Sequence, residues 1–132
     1  MKQITEDYCS FEIAQLLKEK GVDFIDCVTY YCEDKPKEVN YSFCGETNST
    51  WEKRCCQAPT HQMALKWLRE VHDLHIIVYP WQADNEEKAS HWCCTVYRAF
   101  AHLGNDVYTN ETPKSYEEAV EAALKYTLKK LI

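Results

Sequence analysis

Apolar residues recur with the 3.6-residue period of an amphipathic helix in three segments of the chain. Each segment also carries helix-ending signals, namely a Ser or Thr that can cap the first turn or a Gly that can end the last. The third has an S-x-x-E capping box at Ser115 and Glu118. The sequence therefore predicts three helices: TEDYCSFEIAQLLKEKG (5–21, capped by Thr5 or Ser10 and ended by Gly21), PTHQMALKWLREVHD (59–73, capped by Thr60) and SYEEAVEAALKYTLKKLI (115–132).

The intervening segments are rich in β-branched and aromatic residues, which predicts strands. Pro36 separates the first from the second, Pro80 ends the third, which is predicted to be a buried strand, and 45–57 is interpreted as a loop. The element order α-β-β-α-β-β-(β)-α predicts one α+β domain over residues 1–132, in which three helices pack a mostly antiparallel sheet of four to five strands. The predicted strands are 22–32, 39–44, 75–81, 91–101 and the short segment 107–109.

Composition is consistent with a folded protein and narrows the function classes. The chain has 132 residues, 45% of them apolar, and a net charge of −6. This charge argues against general binding to a phosphate backbone, which needs clustered Lys and Arg. The N-terminus lacks the apolar region of a signal peptide, and no run approaches the roughly 18 apolar residues of a membrane span. We therefore predict a cytoplasmic protein.

Eight cysteines, four of them in two adjacent pairs, are the main chemical signature of the chain. Structural zinc sites usually space their ligands as C-x₂₋₄-C, whereas here no C-x-x-C occurs. On a strand, adjacent side chains point to opposite faces, so only one cysteine of a pair can face a given site. Packing as small apolar residues is the favoured interpretation, with metal binding and redox chemistry left open. Candidate metal ligands are Cys55, Cys56, Cys93, Cys94, His72 and His75.

No motif indicates catalysis: the chain has neither a Gly-rich phosphate loop nor a G-x-S-x-G elbow, and no cofactor is predicted. Aromatic residues near loops or strand ends can anchor a partner, although filling the core is the favoured interpretation. The acidic charge places a protein partner ahead of nucleic acid. The candidate partner-binding residues are Trp51, Tyr79, Trp81 and Trp92.

Three segments in a fixed order, SFEIAQLLKEKGVDF, APTHQMALKWLREVHDLHI and SYEEAVEAALKYTLKKLI, resemble a group of small proteins of gut Bacteroidetes and of their phages and prophages. The resemblance implies a cytoplasmic protein encoded by a mobile element. It implies no activity, catalytic residue or cofactor, because none is known for the group.

These observations lead to one functional hypothesis and two alternatives. The first is a non-enzymatic phage or prophage accessory protein that acts by protein–protein interaction, with an unknown protein partner or a second copy of itself. The alternatives are a nucleic-acid-binding accessory protein and a metal- or thiol-dependent protein that uses Cys and His.

Overall fold

The computed structural model describes residues 3–42, 47–51, 54–81, 91–98 and 106–132, except for the side chains of residues 106 and 107. The chain divides into two compact units, Met1–Ala64 and Leu65–Ile132. The single-domain organisation stays a prediction, because compact units of this size occur both within one domain and as separate domains.

The described residues form three helices and antiparallel sheets whose strands follow one another in runs, which confirms the predicted α+β class and the three helices. In chain order the elements are α1 (Phe11–Glu19), β1 (Thr29–Cys32), β2 (Lys35–Tyr41), β3 (Cys55–Gln57), α2 (His61–His72), β4 (Leu74–Trp81), β5 (His91–Arg98), β6 (Asp106–Asn110) and α3 (Tyr116–Tyr126), which continues as a π-helical segment (Thr127–Leu131).

The six described strands form two antiparallel sheets of three strands, in the orders β2-β1-β3 and β4-β5-β6. The prediction of one sheet with four to five strands is therefore wrong. Hydrophobic alternation shows which face of a strand is buried, but it does not identify the neighbouring strand. The prediction also missed β3, a three-residue strand inside the segment that was predicted to be a loop.

The ends of α1 follow the local sequence signals. Ser10 Oγ accepts a hydrogen bond from the Ile13 N–H, so Ser10 rather than Thr5 is the cap. At the other end Gly21 has a φ of 77°, the left-handed conformation that glycine adopts without steric cost. The Gly21 N–H donates to Lys18 O and the Val22 N–H to Leu17 O, as in a Schellman motif. The helix buries Ile13, Ala14 and Leu17.

Two buried side-chain amides hold the segment before β1 against β3, and we call Asn48 and Gln57 the amide pair. The Phe24 N–H donates to Gln57 Oε1, and Gln57 Nε2 donates to Phe24 O, both at 2.8 Å. Asn48 Oδ1 accepts from the Gln57 N–H at 2.7 Å, and Asn48 Nδ2 donates to Val22 O at 2.8 Å. The predicted strand 22–32 is therefore wrong over its first part, because side-chain amides rather than a neighbouring strand bond this backbone.

Two prolines predicted to interrupt or end strands lie inside outer strands, where proline is tolerated. Pro36 lies inside β2 instead of breaking the chain. Proline lacks a backbone N–H, and β2 is an outer strand, where half of the N–H positions are not needed for pairing with a neighbouring strand. Pro80 lies inside β4, also an outer strand, and pairs with Trp92. The prediction that β4 is a buried strand is wrong, since its side chains alternate between buried or partly buried and exposed positions up to an exposed end.

In the unit Leu65–Ile132, β5 is the central strand and α3 covers one face of the sheet. Two ring contacts identify that face: Trp92 packs edge-on against Tyr116, and Tyr108 stacks on Tyr126 at 4.0 Å. Ser115 caps α3 by accepting from the Glu118 N–H. Glu118 returns its carboxylate to the backbone at Lys114 rather than to the cap residue itself, a close variant of the predicted capping box.

Replacing Gln57 by Leu is expected to lower the free energy of unfolding by about 2–4 kcal/mol, because it leaves the buried N–H and C=O of Phe24 without partners. Urea denaturation followed by circular dichroism measures the change. Gln62→Leu is the matched control, since Gln62 is exposed. Equal losses in the two variants would show that the amide pair does not stabilise the fold.

Candidate functional site

The doublet Cys55–Cys56 divides its two side chains between opposite faces of β3, as strand geometry predicts. Cys56 is buried in a cluster with Ala14, Tyr31 and Ala58. Cys55 is half-buried, and its Sγ lies 2.9 Å from Sγ of Cys32 on the neighbouring strand β1. The interpretation of the cysteines as small packed residues therefore fits Cys56, whereas the Cys55 side chain lies against the sulfur of Cys32.

The doublet Cys93–Cys94 lies on the central strand β5, and both side chains are completely buried. Cys93 Sγ donates to the Tyr79 hydroxyl at 3.0 Å, across the β4–β5 pairing. Burial raises the pKa of the Cys94 thiol. Both residues therefore behave as small core residues, as the packing interpretation predicts.

A cleft of about 310 Å³ lies beside Cys55 in the unit Met1–Ala64. Lys18 lines it, and its Nζ donates to the carbonyl oxygens of Cys55 and Trp51. The cleft has two cationic residues, Lys18 and Arg54, together with both residues of the cysteine doublet. Its lining residues are Phe11, Gln15, Lys18, Glu19, Arg54, Cys55 and Cys56.

The electrostatics of this cleft keep its thiols protonated. Burial and the hydrogen bond with Cys32 raise the pKa of Cys55 to about 11, against a smaller lowering by Lys18. Burial likewise raises the pKa of Cys56 to about 12. Because the thiolate is the nucleophile and the metal ligand, neither residue has the depressed pKa of a catalytic cysteine.

The candidate metal ligands are distributed over several elements. Cys55 and Cys56 lie on β3, and Cys93 and Cys94 on β5. Within the described part of the chain, no three side chains of His, Cys, Asp or Glu come together as a metal-binding group.

The two candidate histidines have other partners. The His72 ring packs edge-on against Trp67. His75 Nε2 lies 3.0 Å from an Asp73 carboxylate oxygen, and its ring stacks on Tyr97. These contacts orient both rings within the unit Leu65–Ile132.

The four candidate aromatic residues separate into two packed and two exposed. Trp51 stacks on Tyr30 with ring centroids 4.7 Å apart, and Trp92 packs against Tyr116. Tyr79 and Trp81 are exposed on β4, although the Trp81 ring also contacts His91 edge-on. The core interpretation therefore describes the first two and not the second two.

Tyr79 and Trp81 belong to a row with Ile77, because residues two apart on a strand share a face. We call Ile77, Tyr79 and Trp81 the β4 row; their exposed fractions are 46%, 42% and 44%. Their cross-strand partners are Thr95, Cys93 and His91. Since α3 contacts the alternate residues of the sheet, the row lies on the face that α3 does not cover.

Sequence reasoning missed Ile77 and Cys32. Pro80 was an available signal for Ile77, because proline within a strand is confined to sheet edges, where side chains are more exposed. Nothing in the sequence identified Cys32 as the partner of Cys55, since strand register depends on tertiary pairing.

Comparison with protein-family models, with curated proteins and with solved structures finds no match to this chain. Among the described residues, none of the helices has both the length and the apolar character that crossing a membrane requires.

Raised thiol pKa values predict that stability falls at alkaline pH. An unfolded thiol loses its proton near its ordinary pKa of 9.0, whereas Cys56 keeps its proton until about pH 12 in the folded chain. Between these values the unfolded state binds fewer protons, so the free energy of unfolding decreases as pH rises. Urea midpoints at neutral pH and at about pH 10 measure the decrease.

Cys56→Ala removes this titrating group, so its midpoint is expected to fall less over the same pH range. Every other titratable side chain is present in both proteins, so the comparison isolates the contribution of Cys56. The explanation is wrong if both proteins lose the same stability.

Proposed function

We propose that this chain is a non-enzymatic cytoplasmic accessory protein that acts by binding a protein partner through the β4 row. The observation that carries the proposal is the exposure of Ile77, Tyr79 and Trp81 on one face of an outer strand. The resemblance of three segments to phage-associated proteins of gut Bacteroidetes supports a phage or prophage setting for this accessory role.

The size of the β4 row is consistent with the centre of an interface. From the usual areas of such side chains, their exposed parts sum to about 300 Å², the size of the largest apolar patch on many monomers and one that is often functional. A stable interface takes about 800 Å² from each partner. The row would therefore supply the apolar centre, and surrounding polar residues would supply the rim.

The chemistry of the row favours a protein partner over nucleic acid. None of its three side chains is charged, and the chain as a whole carries a net charge of −6. The hydrogen bond with Cys93 and, to a smaller extent, burial and nearby Glu111 raise the pKa of Tyr79, so its hydroxyl keeps its proton. The row thus presents apolar surface with one hydroxyl, a combination common in protein-binding hot spots.

The cysteine chemistry also favours binding over catalysis. The cleft beside Cys55 contains thiols with raised pKa values, whereas a catalytic cysteine that turns over rapidly at neutral pH needs a depressed one.

Site-specific photo-cross-linking in the protein's native cells tests the proposal. A benzophenone amino acid at position 81 is expected to give one discrete cross-linked product, because it lies within the proposed contact. The matched control places the same group at Lys66, which is exposed in the same unit. Adding Ile77→Asp is expected to abolish the product from position 81, because it buries a charge in the contact.

A product of twice the chain mass would identify a second copy as the partner, and any other discrete mass would identify a different protein. The proposal is contradicted if positions 81 and 66 give the same products, or if Ile77→Asp leaves the product unchanged while circular dichroism shows a folded chain.

A further inference from the structure

Cys32 and Cys55 are cross-strand neighbours in the sheet β2-β1-β3. The strands β1 and β3 are antiparallel, and the register pairs Tyr30 with Gln57, Tyr31 with Cys56 and Cys32 with Cys55. Each cysteine is thus held opposite the other by backbone pairing and does not depend on a flexible loop.

The backbone hydrogen bonds show whether Cys32 and Cys55 form a hydrogen-bonded or a non-hydrogen-bonded pair of the antiparallel ladder. The Ala58 N–H donates to Thr29 O, and the Glu33 N–H donates to Arg54 O. In an antiparallel ladder, hydrogen-bonded and non-hydrogen-bonded pairs alternate. Because the pair of Glu33 and Arg54 is bonded, the adjacent pair of Cys32 and Cys55 is the non-hydrogen-bonded type, whose Cα atoms lie about 4.5 Å apart.

This spacing is compatible with a covalent link. Disulfides span Cα separations of about 4.4–6.8 Å, so the backbone can keep its register when the bond forms. The two sulfurs are already 2.9 Å apart. Neither a strand shift nor a loop movement is needed to bring them together.

Access distinguishes this pair from the other cysteines that the structure describes. Cys32 and Cys55 are half-buried, whereas Cys9, Cys27, Cys56, Cys93 and Cys94 are buried. Cys55 also lines the 310 Å³ cleft beside Lys18 and Arg54. A small oxidant can therefore reach this pair without unfolding the chain.

We infer that Cys32 and Cys55 form a reversible modification site, in which a hydroperoxide converts the two thiols to a disulfide. The sulfur of one cysteine, as thiolate, attacks a peroxide oxygen; the O–O bond breaks, and a sulfenic acid and hydroxide result. The second sulfur then attacks the sulfenic sulfur, an S–S bond forms, and the S–O bond breaks to release water. In total the two thiols lose two electrons and two protons, and hydrogen peroxide is reduced to two waters.

The disulfide would fasten β3, which has only three residues, to the central strand β1. It would also close residues 33–54 into a covalent loop, which restricts the unfolded chain and raises the melting temperature. Added thiol reductant reverses the reaction by thiol–disulfide exchange. The pair reacts slowly at neutral pH, because the Cys55 thiolate is scarce there.

Peptide mapping of the full-length protein tests the inference. The reduced chain is treated with hydrogen peroxide, its remaining thiols are blocked, and it is digested with trypsin without reductant. The expected product joins the peptides 21–37 and 55–66, with a mass about 2 Da below their sum and with fragment ions that place the bond between Cys32 and Cys55. Reductant is expected to separate the two peptides.

Two variants make the result specific. Cys32→Ser is expected to lose the cross-linked peptide completely, and Cys27→Ser is expected to keep it, although both residues lie in the same tryptic peptide. Serine preserves the polar contact that Cys27 makes with Thr29.

Three results would overturn the inference. They are a cross-link through Cys27, Cys44 or Cys56 in place of the expected one, oxygen added to Cys32 or Cys55 without any cross-link, and unmodified thiols after peroxide treatment that oxidises methionine in the same sample.

Discussion

The hydrogen bonds of two buried amides join the segment before β1 to β3 in the unit Met1–Ala64. The side chains of Asn48 and Gln57 are almost fully buried, and an unpaired amide there would be costly. Their hydrogen bonds join Val22, Phe24 and β3 into one network. This network fixes the position of β3, and the position of β3 in turn brings Cys55 opposite Cys32. The amide of Gln57 and the ladder between β1 and β3 thus act on the same short strand that carries Cys55.

Features that depend on neighbouring residues could be predicted from the sequence. Ser10, Gly21, Thr60 and Ser115 act at helix ends, because capping involves only a few consecutive residues. Features that depend on distant partners could not. The segment before β1 has strand-forming residues, yet the Gln57 side chain bonds its backbone from 33 positions away. Cys55 and Cys56 lay in a predicted loop, so their opposite faces follow only from the observed strand β3, and only the register of β1 and β3 identifies Cys32 as the partner of Cys55.

The two units use their aromatic residues in different ways. In the unit Met1–Ala64, Trp51 and Tyr31 pack against other rings, and Tyr31 also donates to Cys9 O at 2.6 Å. In the unit Leu65–Ile132, α3 draws Trp92 and Tyr108 onto one face of the sheet, and the β4 row stays on the other. On that second face, Cys93 and Thr95 of the central strand are buried, whereas the row lies on an outer strand, where side chains are more exposed.

Asn48 has a consequence for producing the protein, because Asn48-Ser49-Thr50 matches the acceptor sequence for N-linked glycosylation. The acceptor nitrogen of Asn48 is buried and bonded to Val22 O, so the folded chain has no room for a sugar there. In a eukaryotic secretory pathway, oligosaccharide transferred before folding would occupy the place of this bond and block closure of the surrounding segment. Expression hosts that lack the enzyme that transfers the oligosaccharide do not form this glycosylated, incompletely folded chain. In a secretory host, detecting the glycosylated chain would show that some molecules were modified before they folded.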